Sequence, residues 1–599
     1  MFKRIIVAIF FAAQIVGVWA LNRNGVPNVE KLSHEEALDR YGFYLQESSR
    51  AYGIDFIHKS PTLLDEKLSH ILPIIASMGA SVSIVDYDKD GWLDFYVVSS
   101  GEGAQNKLYH NDHGTFHDVA ESLGIADLNQ PGTGVCQGAI WGDFDNDGFE
   151  DLLVYKWGKP QLFRNVAAQK FVACSGCGLP DWVNANSAIW IDYDCDGLLD
   201  LFIAGYWSEK LDLWHLATSA MMPESFEYAR NGGRKYLLRN LGNGTFKDVT
   251  EAVGITSTRW TLGLSAADLC GTGYPDIVLA NDYGVSEFLC NHGGTHFEEI
   301  GAATGIGVTP KSGMNATLGD IFNTGQFSVY ITNITAPGNL VQGNNLWVPE
   351  PQGRTAFPRY LNQAGSLKVE KGGWSWGSQF GDLNNDGRLD LYLTNGYISA
   401  DTRENYWYDY GLIASGHKSI IADAKSWPAI RSRSLSGYQN KCLWWNKGGE
   451  FVDIARAVGV SDTYDGRAVA LGDLFNQGVL DILVANQNGP LLLYKNSVAP
   501  GRDWLQIELE GIKSNRSAIG SLVRVYWSNA GSEQIQEQVQ TVSGGNGYAS
   551  QNMRRLHFGL GADAVVHKVV IQWPHHDSPK QTLRSPPKNQ RLIIRENQS

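Results

Sequence analysis

The chain has 599 residues and a formal net charge of −14, with 49 Lys and Arg against 63 Asp and Glu. This acidic balance excludes nucleic acid as a partner, because binding to a phosphate backbone requires clustered positive charge. The length exceeds one ordinary hydrophobic core, so we expect several domains or a repeat array. The 66 Gly residues and an aromatic fraction of 11% are typical of a turn-rich all-β protein.

The N-terminus has the pattern of a signal peptide over residues 1–20. Lys3 and Arg4 precede a mostly apolar run that ends near Val18, and we expect a cut near Ala20. The alternative is a membrane anchor, for which the run is short, since a span needs about 20 apolar residues. We therefore expect a secreted, periplasmic or cell-surface protein with no membrane span after cleavage.

Residues 21–75 form a leader before the first repeat. Within it, apolar and polar residues alternate from Tyr52 to His58, which predicts a β-strand. We expect this strand to close the array of repeats that follows.

An acidic nine-residue loop begins at Asp86 and sets the pattern for most of the chain. Aspartates occupy its positions 1, 3, 5 and 9, Gly91 is at position 6, and an apolar strand follows. A hard cation such as Ca²⁺ takes about six to eight oxygen ligands at roughly 2.3–2.6 Å. Alternate side chains of a curled loop supply such oxygens, the main-chain carbonyl of position 7 adds another, and glycine permits the sharp bend.

Three further full copies of this loop begin at Asp143, Asp192 and Asp382, each followed by an apolar strand. We predict that all four bind Ca²⁺ through side chains at positions 1, 3, 5 and 9 and the carbonyl at position 7. The predicted ligands are Asp86, Asp88, Asp90, Trp92 and Asp94; Asp143, Asp145, Asp147, Phe149 and Asp151; Asp192, Asp194, Asp196, Leu198 and Asp200; and Asp382, Asn384, Asp386, Arg388 and Asp390.

Three weaker copies begin at Asp268, Asp320 and Asp473 and lack an oxygen ligand at position 3. The replacements are Cys270, Phe322 and Phe475 at position 3, with Ser328 at position 9 of the second copy. The sequence leaves open whether these loops hold metal.

A second pattern lies between the loops and is clearest in Leu237–Thr250. There a strand, a turn of Asn and Gly, and a second strand predict a β-hairpin, and related segments begin at Leu108, Phe288 and Leu443. A repeat of one strand and one hairpin cannot bury its faces alone, but repeats stacked around an axis can. The sequence therefore predicts a β-propeller over residues 76–498.

Two insertions, residues 206–235 and 400–440, interrupt the repeats and are rich in aromatic side chains such as Trp207, Trp214 and those of the run Tyr406–Tyr410. One interpretation is a lid or ligand platform on one propeller face, because loops on a rigid scaffold commonly bind ligands. The other is that the aromatic side chains pack the insertions onto the ring, since large aromatic side chains are usually buried.

The seven cysteines are an odd number, so at least one thiol stays unpaired. Cys174 and Cys177 are the one close pair and form either a local disulfide or two unpaired loop thiols. Cys195 and Cys270 lie inside acidic loops, where we expect them only to fill a position.

Residues 497–503 have the composition of a linker, and the acidic loops stop there. Beyond it, alternation in Trp504–Leu509, Leu522–Trp527 and part of Val569–Trp573 predicts further strands. We expect a small C-terminal β-sandwich domain over residues 502–597.

The full loops with their apolar strands resemble FG-GAP/VCBS repeats, the units of the integrin α-subunit propeller. The C-terminal segment resembles an ASPIC/UnbV domain, and together the two resemble the cartilage acidic protein family. The landmarks are Asn515–Gly520, Gly544–Tyr548, Leu556–Gly561 and Gln572–Pro574. The resemblance implies a seven-bladed, integrin α-like, Ca²⁺-binding extracellular propeller with the loop ligands given above. The chain departs from the pattern at His575-His576-Asp577, which is either a metal-binding pair or a solvated turn.

Two classes of function fit these features. The first is a secreted scaffold for binding, adhesion or assembly that engages an extracellular or cell-surface protein or a glycan. The second is a Ca²⁺-dependent hydrolase, lyase or cyclase with its site in the central cleft or the insertions, where His215, Glu404, Asp409 and His417 are candidate acid–base groups. We favour the scaffold, because Ca²⁺ held by four carboxylates has few free positions and the H-E-x-x-H and phosphate-loop motifs are absent.

Overall fold

The computed structural model describes residues 30–351, 357–416, 418–529, 531–532, 534–575 and 580–597. The predicted signal peptide lies outside these ranges. Strands dominate the described chain and its helices are short, so the all-β prediction is confirmed. None of the described helices is long and apolar enough to cross a bilayer.

The leader begins with a capped helix and supplies the strand that closes the ring. Its elements are α1 (His34–Tyr41), β1 (Phe43–Glu47), two 3-10 helices (Arg50–Tyr52 and Glu66–Ile71) and α2 (Leu72–Ile75). Ser33 Oγ accepts a hydrogen bond from the Glu36 N–H, and the Ser33 N–H donates to Glu36 Oε2 at 2.8 Å, which forms a capping box.

The predicted closing strand at Tyr52–His58 is wrong. Alternate residues there are buried, including Ile54 and Phe56, but the segment lacks a paired strand and only Ile57 forms an isolated bridge, to Pro490. The alternation of apolar and polar residues therefore reflects an extended segment with one buried side, not a paired strand. The closing strand is instead β1, which starts at Phe43, nine residues before Tyr52. It pairs antiparallel with the strand Leu492–Val498.

The repeats form groups of four antiparallel strands, which we call units 1 to 7 in chain order. Unit 1 contains β2 (Ser81–Val85), β3 (Asp94–Val98), β4 (Lys107–Asp112) and β5 (Thr115–Asp118), and unit 2 contains β6 (Gly134–Gly142), β7 (Asp151–Gly158), β8 (Gln161–Asn165) and β9 (Phe171–Ala173). Unit 3 contains β10 (Val183–Ile191), β11 (Asp200–Trp207), β12 (Lys235–Asn240) and β13 (Phe246–Asp248). Unit 4 contains β14 (Thr261–Ala267), β15 (Asp276–Asn281), β16 (Glu287–His292) and β17 (His296–Glu299), followed by α3 (Gly301–Thr304).

Units 5 and 6 carry extra elements between their strands. Unit 5 contains β18 (Ala316–Gly319), β19 (Ser328–Ile331), a small hairpin of β20 (Thr335–Ala336) and β21 (Leu340–Val341), β22 (Asn345–Pro349) and β23 (Tyr360–Asn362). Unit 6 contains β24 (Ser375–Gly381), β25 (Asp390–Asn395), β26 (Asp401–Asn405), α4 (Trp407–Ala414), α5 (Lys418–Ile421), a 3-10 helix (Ala424–Ser426), β27 (Arg433–Ser434), β28 (Cys442–Asn446) and β29 (Phe451–Asp453). Unit 7 contains β30 (Gly466–Gly472), β31 (Asp481–Asn486), β32 (Leu492–Val498) and β1.

The units are arranged around an axis. The first strand of each unit contacts the first strand of the next, and β30 of unit 7 contacts β2 of unit 1, so the ring is closed. The first strands β6 and β10 are buried along their whole length, as expected for strands that face the axis. The β-propeller prediction is confirmed. Units 2 and 3 share one eight-stranded sheet through pairing of β10 with β7, so the exact number of blades stays a prediction.

The C-terminal region forms two sheets of its own around a shared apolar core. One sheet has the order β37-β33-β40 and the other β35-β34-β38-β39. The strands are β33 (Asp503–Glu510), β34 (Leu522–Asn529), β35 (Gln536–Thr541), β36 (Ser550–Gln551), β37 (Leu556–Gly561), β38 (Ala564–Gln572), β39 (Gln581–Arg584) and β40 (Arg591–Arg595). Strand β36 leaves these sheets and pairs in parallel with β2 of the propeller.

Residues 544–553, which we call the plug, enter the centre of the ring. Ala549 O accepts from the Val82 N–H at 3.3 Å, the Tyr548 N–H donates to Asn315 Oδ1 at 2.7 Å, and Gly547 exchanges hydrogen bonds with Leu264. The plug bonds to a residue in or beside the first strand of every unit: Val82, Trp141, Trp190, Leu264, Asn315, Gln379 and Leu471. The C-terminal region is therefore built into the propeller rather than appended to it.

The two insertions pack against each other and against the ring. The Met222 N–H donates to Ala422 O at 3.0 Å, and the rings of Phe226 and Tyr410 lie 5.6 Å apart in an edge-to-face arrangement. Most of the aromatic side chains are buried, as the packing interpretation requires, but Tyr408 is 77% exposed and Tyr228 is 59% exposed.

Candidate functional site

Each acidic loop joins the first and second strands of its unit, and six of the seven loops share one hydrogen-bonded frame; the loop at Asp320, with Ser328 at position 9, keeps only part of it. In the loop at Asp143, Oδ2 of this residue accepts from the Gly148 N–H at 2.7 Å, and Asp151 Oδ2 accepts from the Phe144 N–H at 3.1 Å. The weak loop at Asp473 keeps the first of these bonds, at 2.7 Å to the Gly478 N–H. Positions 1, 6 and 9 therefore shape the loop whether or not an ion binds.

Two backbone conformations explain the residue types at positions 4 and 6. Gly148 at position 6 has φ of 100°, a region that favours glycine, and Asn146 at position 4 has φ of 58°. Asparagine or glycine fills position 4 in five of the loops, which matches its left-handed conformation.

Three of the four full loops bring carboxylates together. Oxygens of each of three groups lie within 4.8 Å of one another: Asp86, Asp88 and Asp90; Asp143, Asp145 and Asp151; and Asp192, Asp194 and Asp200. The predicted ligands Asp147 and Asp196 cap the N–H groups of Phe149 and Leu198 and lie outside these groups. The loop at Asp382 forms no such group of carboxylates within the described residues. Its position 3 residue is Asn384, whose Nδ2 donates to Tyr41 O at 2.9 Å and whose Oδ1 accepts from the Asp386 N–H at 3.1 Å.

The gathered carboxylates fit a divalent cation. Asp86 Oδ1 and Asp194 Oδ1 are buried and lack a hydrogen-bond partner among the described residues. Burial raises the pKa of Asp86 to about 7, and the charge of Asp94 adds to this shift. Burial also raises the pKa of Asp143 to about 7, with a contribution from Glu150. Clustered carboxylates with raised pKa values are the environment that a bound cation would relieve.

A side chain from the third strand reaches each cluster, at the position just before a recurring asparagine. Arg164 Nε lies 2.5 Å from Asp145 Oδ2, and Arg239 contacts Asp194 at 2.8 Å. In unit 1 the residue is His110, whose Nδ1 lies 3.3 Å from Asp94 Oδ1, and this contact raises the pKa of His110 to about 9. The third strand thus supplies a counter-charge at position 3 or position 9.

The recurring asparagine joins neighbouring units, a role that the sequence analysis missed. Asn240 Nδ2 donates to Leu199 O in its own loop at 3.0 Å and to Phe144 O in the preceding unit at 2.8 Å. The same pair of bonds is made by Asn111, Asn165, Asn291, Asn446 and Asn496. The asparagine lies at or near the end of the third strand in six units, where the hairpin pattern of the sequence predicts only a turn residue.

The C-terminal region covers the loop end of the propeller. Gln506 Nε2 donates to Asp473 Oδ2 at 2.9 Å, and the Val539 N–H donates to Asp320 Oδ2 at 3.2 Å. In unit 3, Asn515 Nδ2 lies 3.5 Å from Asp192 Oδ2. Position-1 aspartates therefore face another part of the same chain.

A cavity of about 670 Å³ lies at the opposite end, between the leader and the second strands of several units. Its lining mixes polar and apolar groups and includes Lys59, Glu102, Tyr397, Asp465 and Gln487. Both insertions follow second strands and so lie at this end of the ring.

The candidate acid–base groups of the insertions are not brought together. His215 Nδ1 lies 2.9 Å from Asp212, Asp409 is paired with Arg433, and Glu404 is exposed. His417 lies outside the described residues, as do His576 and Asp577. All seven cysteines are free thiols, so Cys174 and Cys177 match the unpaired alternative.

The chain also contains one G-x-S-x-G sequence, Gly373–Gly377, that the sequence analysis overlooked. Ser375 is fully buried in β24, and its Oγ donates to Gly373 O at 3.4 Å. A nucleophile elbow requires an exposed serine on a turn between a strand and a helix, so this segment does not form one.

Two families match parts of the chain. The family described as FG-GAP-like repeat matches residues 86–154, 143–203 and 228–279, and the family described as ASPIC and UnbV matches residues 511–599.

Several curated relatives carry the name cartilage acidic protein 1. The mouse protein is 26% identical over 219 residues, which are 33% of this chain and 33% of that protein. The human protein is 20% identical over 333 residues, 55% of this chain and 43% of that protein, and the Xenopus tropicalis protein is 52% identical over 54 residues, 9% of this chain and 8% of that protein. The matches thus span less than half of each relative.

Two solved structures are similar at low identity. One describes recognition of non-reducing terminal N-acetylglucosamine by an Agrocybe aegerita lectin, with 14% identity, a TM-score of 0.36, and coverage of 69% of this chain and 87% of that chain. The other is BBS1N in complex with ARL6DN, with 10% identity, a TM-score of 0.37, and coverage of 72% and 94%. The family matches show that the chain contains FG-GAP-like repeats within residues 86–279 and an ASPIC and UnbV domain over residues 511–599, and the chain is similar in part to cartilage acidic protein 1.

Proposed function

We propose that the protein is a secreted, calcium-binding β-propeller that acts as a scaffold for binding, adhesion or assembly with an extracellular protein or a glycan. The observation that carries this proposal is the gathering of carboxylates in three loops on one end of the ring, two of which hold a buried carboxylate oxygen without a partner among the described residues. These loops are covered by the C-terminal region, so a bound ion would have a structural role.

Ca²⁺ would be held by position 1, 3, 5 and 9 side chains and the position 7 carbonyl of the full loops. When bound, the ion would neutralise carboxylates that otherwise repel one another and would cross-link each loop. This chain's own residues hold the loop in shape, because positions 1 and 9 bond to backbone N–H groups of the same loop. The loop at Asp382 is the weakest of the four candidates, since it has an amide, Asn384, at position 3 where the other three loops have a carboxylate.

The partner surface that we propose is the insertion end. It combines exposed aromatic side chains, Tyr228 and Tyr408, with the cavity beside Lys59 and Gln487. Aromatic rings next to hydrogen-bonding groups suit contact with a glycan or with an amphipathic protein surface.

A capture experiment tests this proposal. The full chain, immobilised with Ca²⁺, is exposed to a secreted extract and to a glycan array, and bound material is eluted with chelator. We expect capture that falls at least tenfold for Tyr408→Ala and is unchanged for Ile593→Ala, an exposed residue of the C-terminal region. Equal capture by both variants would refute the insertion end as the partner surface.

The enzyme alternative receives no support from the centre of the ring. Tyr548 of the plug is fully buried there, and its hydroxyl accepts from the Gly79 N–H at 3.2 Å. Arg467 fills the space beside it, stacked 4.1 Å from the ring centroid of Trp376 and bonded to main-chain carbonyls. We therefore propose no second function.

A further inference from the structure

One pair of positions connects the loop to the third strand in most units, and its chemistry changes from unit to unit. The pair consists of loop position 3 and the residue just before the recurring asparagine. It is an ion pair of Asp145 with Arg164 in unit 2 and of Asp194 with Arg239 in unit 3. In unit 7 it is a cation–π contact, with the Lys495 ammonium 3.9 Å from the ring centroid of Phe475.

In unit 4 both positions are cysteine. Cys270 is at position 3 and Cys290 precedes Asn291 on β16. Their Sγ atoms and an oxygen of Asp276 lie within 4.8 Å of one another, and both thiols are free in the structure. Where other units place a carboxylate and a cation, unit 4 thus places two thiols in contact.

Unit 4 also lacks the links that hold other loops to the next unit. Asn146 Nδ2 of unit 2 donates to Gly197 O of unit 3, and Asn385 Nδ2 of unit 6 donates to Gly478 O of unit 7. Position 4 of unit 4 is Gly271, which has no side chain to make this bond. In unit 5, strand pairing places Pro349 where the recurring asparagine stands elsewhere, so the second link is missing too. The loop of unit 4 therefore lacks both of the asparagine links that join other loops to the next unit.

We propose that Cys270 and Cys290 form a disulfide in the mature protein, which cross-links the unit 4 loop to its third strand in place of an ion. This rests on the proposed function only in that export would supply an oxidising compartment. The step is thiol–disulfide exchange: the two thiols lose two protons and two electrons, an S–S bond forms between their Sγ atoms, and a protein or glutathione disulfide is reduced to two thiols.

A thiolate metal site is the competing occupant, and the coordination argues against it. Structural zinc sites have four ligands, and unit 4 offers two sulfurs and one carboxylate. Asp276 already accepts from the N–H groups of Leu269 and Cys270 with Oδ2 and from that of Asn291 with Oδ1.

The test uses the purified full chain, reduced and then returned to a glutathione redox buffer, so that it does not depend on export. Free thiols are alkylated under denaturing conditions before and after reduction, and peptides are mapped by mass spectrometry. We expect Cys270 and Cys290 in one linked peptide pair that has lost two hydrogen atoms, while Cys195, the matched loop cysteine, is alkylated throughout.

The double variant Cys270→Ser with Cys290→Ser serves as the stability control. We expect the wild type to melt at a higher temperature in oxidising than in reducing buffer, and the variant to show no such difference. Full alkylation of both residues after oxidation would overturn the proposal. If the two thiols were protected from alkylation only while zinc was bound, and chelator removed this protection, the proposal would also be overturned, in favour of a metal site. A chain that forms the bond in buffer but is recovered reduced from its own cells would overturn the disulfide of the mature protein and argue against export, although the two thiols can pair.

Discussion

The side-chain amide of Asn240 donates a hydrogen bond of 2.8 Å to the main-chain carbonyl of Phe144, a residue of the preceding unit. The same amide bonds to Leu199 in its own loop, and its Oδ1 accepts from the Gly242 N–H in the following turn. One buried side chain therefore fixes a loop, a turn and the contact between two units.

Asn240→Ala should destabilise the protein by about 2–4 kcal/mol, because it leaves buried carbonyl groups without donors at roughly 1–3 kcal/mol each. Urea unfolding at constant pH measures the loss. The matched control is Asn243→Ala in the same turn, whose exposed side chain bonds only to Thr245. We expect the control to lose less than about 1 kcal/mol. Equal losses in the two variants would contradict the role of Asn240 between units.

Asp145→Ala and Asp194→Ala should each lower the melting temperature only when calcium is present. Both residues supply the position 3 carboxylate that the weak loops lack, and neither accepts from the glycine N–H at position 6 as the position 1 aspartate does. An ion at a hundredfold excess over its Kd stabilises the folded chain by about 2.7 kcal/mol, and this is the scale of the expected loss. Calorimetry in calcium and in chelator provides the comparison, with the exposed Asp127→Ala as control. Identical shifts in chelator would show that these side chains do not act through a metal.

Tyr548→Ala should cost about 3–5 kcal/mol, the usual range for removing a large buried aromatic side chain. The ring of Tyr548 packs against Trp376 at the centre of the propeller, with centroids 5.2 Å apart. Tyr548→Phe keeps the ring and removes only the hydroxyl that accepts from Gly79, so we expect a loss of about 1 kcal/mol. Limited proteolysis should cut the alanine variant near residues 544–553 before the phenylalanine variant. Similar resistance of the two proteins would argue against a packed plug.

Asp282→Asn should change how stability depends on pH. Burial raises the pKa of Asp282 to about 7, while the Tyr206 hydroxyl donates to its Oδ2 at 2.8 Å. Between about pH 4, where aspartate titrates in the unfolded chain, and pH 7, the folded state holds a proton that the unfolded state has released. The contribution of this group is therefore fully present below about pH 4 and is lost as pH rises toward 7, by at most about 1.4 kcal/mol per pH unit.

The asparagine variant keeps an acceptor for Tyr206 and cannot titrate, so its stability should fall less between pH 5 and pH 7 and exceed that of the wild type at pH 8. Denaturant midpoints across this range provide the measurement, with the exposed Asp39→Asn as control. If the stability of the wild type changed with pH as little as that of the variant, Asp282 would be ionised across the whole pH range.

The propeller was predictable because its signals are local. Each acidic loop fixes its own curl through bonds between residues four to seven positions apart, and the strand after it is a short apolar run. The carboxylate clusters follow from the same spacing, since alternate side chains of such a loop point to one side. The loop at Asp382 fits the spacing but forms no cluster of carboxylates among the described residues, and its position 3 residue is Asn384 rather than an aspartate.

The features that the sequence analysis missed depend on contacts between distant parts of the chain. Pairing of β1 with β32 joins residues more than four hundred positions apart, and nothing in Phe43–Glu47 distinguishes it from other alternating segments. The plug was recognised as a glycine-rich landmark, yet its partners lie in every unit. Gly547 shows why glycine is needed there: a Cβ atom would lie 1.9 Å from Asn315 Oδ1.

The plug follows the last repeat in the chain, while its hydrogen-bond partners extend from Val82 to Leu471. During synthesis, the main-chain and side-chain amide groups along the axis lack their hydrogen-bond partners in the plug until this late segment has been made. A ring that closed earlier would have to reopen to admit it. We therefore expect the propeller to complete its folding only after residues 544–553 leave the ribosome, and a chain that stops before them to remain an incomplete, protease-sensitive ring.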